Sequence, residues 1–107
     1  MDEGPFGIDA QSRAGHHRLI LTGELDLAAS RELDAALRAA CEQGARQIDL
    51  DLRGVTFIDS VGLSSLLAAR EVCEQSGTEM GAIPNPALER IFEVTGLLDV
   101  LPWRDPS

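Results

Sequence analysis

The stretch "QIDLDLRGVTFIDSVGLSSLL", residues 47–67, changes periodicity partway along, and that change decides the fold. Its first six residues alternate, placing Ile48, Leu50 and Leu52 on one face and Asp49 and Asp51 on the other, which predicts a strand over 47–52. From about Val61 to Ser76 the apolar residues Leu63, Leu66, Leu67 and Cys73 return at helical spacing, with Gly77 as the stop. Between the two periods lie Asp59, Ser60 and Gly62, the residue types of a strand-to-helix junction. The bare geometry suggests Ser60 as the helix N-cap, although Leu63 stands where a capping box would need Glu or Gln.

The same alternation of periods extends both ways. "FGIDAQ" (6–11) and "RLILT" (18–22) flank a turn at "RAGH" (13–16) and predict a leading hairpin. After "GELD" (23–26), Ala29, Leu33, Ala36, Leu37, Ala40 and Cys41 mark a first helix, capped by Asp26 and stopped at Gly44. "EMGAI" (79–83) predicts a short strand whose scarcity of β-branched residues implies a weakly held edge. Asn85 and Pro86 then start a third helix, with Leu88, Ile91 and Phe92 toward the core and Gly96 at its end. "LLDVL" (97–101) fits either a helical turn or a strand. Alternating strand and helix units predict an α/β domain: a mixed sheet with a leading hairpin and helices packed on it. All 107 residues are expected to form one domain.

Composition narrows the possible roles. The core must be aliphatic, since hydrophobic residues make up 44% of the chain and aromatics only 4%. A net charge of −9 argues against nucleic acid and anionic membranes, both of which need clustered positive charge. Cys41 and Cys73 lack metal-ligand spacing and lie on apolar helical stripes, as small core residues do. Unpaired thiols and an acidic start, "MDEGPFG", without a signal-peptide pattern lead to the expectation of a cytoplasmic domain.

No catalytic constellation emerges. Ile58 stands where a nucleophile elbow around Ser60 would need its first Gly. The two histidines, His16 and His17, come before the serine, have no visible orienting acid, and suit a turn and strand start. Asp49 and Asp51 share a strand face, where paired carboxylates suit a solvated edge or helix-end contacts rather than an acid–base pair. There is no Gly-rich phosphate loop, so neither an enzyme nor a bound cofactor is expected.

Three blocks in order, "LTGELD" (21–26), "LDLRGVTFIDSVGLSSLL" (50–67) and "PNPALERIFEVTGL" (84–97), resemble a STAS domain of the anti-sigma factor antagonist type. The resemblance implies a mixed sheet covered mainly on one side by helices. It implies that Ser60 is phosphorylated by a partner that is both anti-sigma factor and serine protein kinase, and restored by a metal-dependent serine phosphatase. The unphosphorylated form would hold the anti-sigma factor and free a sigma factor, with ATP and Mg²⁺ brought by the kinase. Asp26, Asp59, Ser60, Val61, Gly62 and Leu63 match the partner-facing positions. Val61 and Ser64 depart from the pattern, which often has a second hydroxyl and a glycine there. The competing expectation is a STAS module serving as a scaffold or small-ligand site without phosphate turnover.

Overall fold

The computed structural model describes residues 5–104; the acidic start 1–4 and the end of the polar tail, 105–107, lie outside them. The leading hairpin forms from β1 (Gly7–Arg13) and β2 (His16–Leu25), turned by Ala14 and Gly15, both at positive φ as a tight hairpin requires. Then follow α1 (Leu27–Glu42), β3 (Gln47–Ile58), α2 (Ser60–Gln75), β4 (Glu79–Ile83) and α3 (Pro86–Val94). "LLDVL" resolves into a single 3₁₀ turn, Leu98–Val100. The sheet order is β1-β2-β3-β4, with β1 antiparallel to β2 and the other two pairings parallel. The expected mixed α/β architecture is therefore the one observed.

Helix packing explains the alternation in β3. Ile48, Leu50 and Leu52 join Leu19, Leu21 and Leu25 of β2 on the face met by Ala29, Leu33 and Leu37 of α1 and by Leu66, Ala69 and Cys73 of α2. Each buried Leu or Ile among them contributes about 1.5–3 kcal/mol by leaving water, which offsets the scarcity of aromatics. Cys73 is buried and Cys41 half-buried, and burial with the neighbouring Cys41 pushes the Cys73 thiol up to about 11. Both behave as small core residues.

The structure corrects several expectations. β3 runs to Ile58, not to residue 52, because Gly54 and Val55 keep pairing with Thr22 and Gly23 of β2 through two register shifts. Asp49 and Asp51 are buried, not solvated, because arginines and polar neighbours cover them. Asp49 accepts from Arg104 Nη1 (2.9 Å), Gln47 Nε2 (3.0 Å) and the His16 ring (2.7 Å). Asp51 takes Arg53 Nη2 at 2.7 Å and Nε at 2.9 Å, and these hydrogen bonds hold its carboxyl below the usual range against the cost of burial. In α3, Leu88 and Phe92 are buried, whereas Ile91 is exposed because the helix rests on one narrow stripe.

The weakly held edge expected at β4 is also corrected. Residues 102–104 run alongside it: Ala82 N–H donates to Pro102 O (3.0 Å), and Arg104 N–H to Ala82 O (2.9 Å). Trp103 packs edge-on against Phe92 with ring centroids 5.0 Å apart. The chain thus closes its own second edge.

Asn85 binds this assembly from the side. Its Oδ1 caps α3 by accepting from Leu88 N–H (2.9 Å), while Nδ2 donates to Leu52 O (3.1 Å) and Val55 O (3.0 Å) at a bend in β3. Asn85→Ala removes a cap and leaves two strand carbonyls unpaired, so urea unfolding should show a loss of about 2–3 kcal/mol.

Candidate functional site

Leu25 and Ile58 are register partners at the ends of the parallel strands β2 and β3. One residue beyond each strand comes a cap, and one beyond that a helix begins. Asp26 Oδ1 accepts from Ala29 N–H (3.0 Å) at α1, and Asp59 Oδ1 from Gly62 N–H (2.8 Å) at α2. Two capped helix N-termini therefore sit side by side at one end of the sheet. The short aspartate side chains hold extended φ,ψ while satisfying an orphan donor, which is why this residue type stands at both points.

Ser60 is not the N-cap. It occupies the first helical position of α2, exposed, and Asp59 takes the capping bond. The sequence signal was ambiguous because Asp and Ser are both good caps and stand together. Val61 beside it is exposed and Leu63 half-buried. Gly62 differs: it is buried against the end of β2, where an added methyl would overlap the Leu25 carbonyl oxygen. That close approach requires glycine and holds α2 against its neighbour strand. Among the six singled-out positions, Asp26, Asp59, Ser60, Val61 and Leu63 thus keep some surface at this end, and Gly62 serves packing.

Residues 55–58, beyond the strand expected over 47–52, are also strand, and that regularity places a side chain the sequence gave no reason to single out. Phe57 pairs with Glu24 and is 51% exposed, a costly setting for a large aromatic. Leu27, the first residue of α1, is 53% exposed. With Val61 they give the junction end three bare hydrophobic side chains. An alternation read through 58 would have placed Phe57 on the outward face, but Gly54 and the register shifts hide it. Beside them a shallow groove is lined by Glu24, Asp26 and Glu32 together with Pro5 and Phe6. This end of the sheet thus carries exposed apolar side chains and, in the groove, a group of acids.

His16 does have an acid, Asp49, but at the other end of the sheet. It pairs in register with Gln47 at the start of β3, whereas Ser60 follows that strand's last residue. A separation on the order of 30 Å rules out the hydrogen-bond contact that a base-activated nucleophile requires. Among the described residues no helix is long and apolar enough to cross a membrane.

Comparison with known proteins agrees with this geometry. The family model described as "Mlab, STAS domain" matches residues 8–102. The anti-sigma F factor antagonist of Paenibacillus polymyxa is 32% identical over 108 residues, covering 92% of this chain and 89% of its own. The anti-sigma-B factor antagonist of Staphylococcus aureus (strain NCTC 8325 / PS 47) is 27% identical over 97 residues, 90% of either chain. Among solved structures, an anti-sigma factor antagonist from Mycobacterium paratuberculosis superposes with a TM-score of 0.79 at 27% identity, covering 96% of this chain and 87% of that one.

Proposed function

The chain belongs to the STAS domain family, and we propose that within it this protein is an anti-sigma factor antagonist whose hold on its partner is switched off by phosphorylation of Ser60. The unphosphorylated form binds an anti-sigma factor that is also a serine kinase, and so frees a sigma factor for transcription in the cytoplasm. A metal-dependent serine phosphatase reverses the modification.

One observation carries the reading: an exposed Ser60 at the first turn of α2, free of the capping bond, at the same end of the sheet as the exposed Leu27, Phe57 and Val61. Such a hydroxyl is open to a kinase, and the apolar side chains at that end offer a partner a desolvated contact. The acids Glu24, Asp26, Glu32 and Asp59 steer toward a basic partner surface. A phosphoryl group adds about −1.5 to −2 charges beside Asp59 and Asp26. Asp59 already occupies the Gly62 N–H, so the helix end has one donor fewer to offer the new anion. The modification therefore charges the contact surface more than it stabilises the helix.

The test is twofold. Dephosphorylated protein used as bait should retain an anti-sigma factor, and incubation with that protein and MgATP should add one phosphate, mapped by peptide mass to Ser60. No phosphate, or a phosphate elsewhere, would leave the domain a scaffold or ligand module instead. Phe57→Ala separates surface from core: the melting temperature should stay within about 2 °C, while partner affinity falls about tenfold. Unchanged affinity would place the contact elsewhere.

A further inference from the structure

The two edges of the sheet are treated differently. β4 is only five residues long and is closed by the chain's own residues 102–104. β1 has seven residues, lies last in the sheet order, and among the described residues has no strand on its outer side. It has no proline and no register shift against β2, and its two charges, Asp9 and Arg13, are of opposite sign. From Asp9 to Arg13 every side chain is exposed on both faces, whereas Gly7 and Ile8 are half-buried and Ile8 packs against the core.

The sequence of that edge is complementary to itself. Asp9, Gln11 and Arg13 share one face by strand alternation, and Ala10 and Ser12 share the other. If two copies pair antiparallel about a dyad at Ala10, Asp9 falls opposite Gln11 of the second copy, and Gly7 opposite its Arg13. Each Asp9 then lies diagonal to the other copy's Arg13, within reach of that long side chain, and also to the other copy's Asp9, a like charge that the two arginines flank. Asp9 accepts only a 3.3 Å bond from Gln11 in the single chain, and no carboxylate of the described residues lies within ion-pair distance of Arg13. The small Ala10 and Ser12 on the helix side let the two layers approach without collision.

We infer that β1 is a self-association edge, pairing antiparallel with β1 of a second copy into one eight-stranded sheet held by reciprocal Asp9–Arg13 ion pairs. The dyad stands normal to the sheet, so both helix layers lie on the same face. Strand direction reverses across it, and the two Ser60 ends point opposite ways. Neither site is covered, since β3 is two strands, about 10 Å, inward from the edge. A contact limited to strand edges, between chains each carrying −9, is a weak one and belongs to high local concentration.

Sedimentation equilibrium up to about 1 mM should show a monomer–dimer exchange. Asp9→Arg alone and Arg13→Asp alone should each weaken it about tenfold or more, because each puts like charges across the dyad. The double variant, Asp9→Arg with Arg13→Asp, should restore it. Circular dichroism of all three variants should match the parent, as these side chains are exposed. A monomer at that limit, association indifferent to either reversal, or a double variant no better than the singles would each overturn the inference. So would β1 amides that gain exchange protection only when the anti-sigma factor is added, which would assign the edge to a strand of that partner.

Discussion

Ser60→Asp is expected to bind the anti-sigma factor at least about a hundredfold more weakly than the parent chain, while Ser60→Ala binds as the parent does and takes no phosphate. The magnitude follows from where the charge lands. Position 60 is the first residue of α2, exposed, flanked by Val61 and at the same sheet end as Phe57 and Leu27. A partner seated on those side chains expels water from the serine as well. An unpaired carboxylate buried there costs several kcal/mol, and about 2.7 kcal/mol already makes a hundredfold. The local field works the same way, with Asp59 adjacent and Asp26 at the neighbouring strand end. Titration calorimetry on the two variants decides it: equal affinities would remove the charge switch, whatever mass spectrometry finds.

Gly62→Ala should be severely destabilising. On an exposed helix this exchange stabilises by roughly 0.8–1 kcal/mol. Here the sign should invert, because the new carbon overlaps the Leu25 carbonyl oxygen, and neither a strand end nor a helix start can retreat cheaply. We expect a loss of about 3 kcal/mol or more, which in a domain of this size lowers the melting temperature by roughly 12 °C or more. Ser64→Ala, exposed on the same helix, serves as the control and should change stability by less than about 0.5 kcal/mol. If the two variants melt together, the close approach of α2 to β2 is not what holds the junction.

The fold was legible where one face is wet and one is dry. β4, the caps at Asp26 and Asn85, and the start of α3 at Pro86 appear at the positions the sequence indicates, since alternation, Asx caps and proline act locally. What stayed hidden was non-local. Nothing near Asp49 announces that Arg104, 55 residues away, will cover it. The register shifts that carry β3 through Gly54 and Val55 to Phe57 arise from pairing with β2, so a reading of residues 53–58 alone ends the strand too soon. Trp103 was equally silent, because its place depends on Phe92 and on the edge at Ala82. At the candidate site, the Asp-Ser-x-Gly-Leu block marks the strand-to-helix junction that the structure shows between β3 and α2. The choice between Asp59 and Ser60 as cap needed coordinates.

That choice has an evolutionary edge to it. With the aspartate doing the architectural work, its neighbour is a free letter: a lineage could erase the serine, or regain it, in one codon change and express an equally sound protein. Screens that score solubility, yield or protease resistance would pass such alleles unnoticed. Under the proposed switch at Ser60, they would surface as cells in which a transcription programme is stuck on or off.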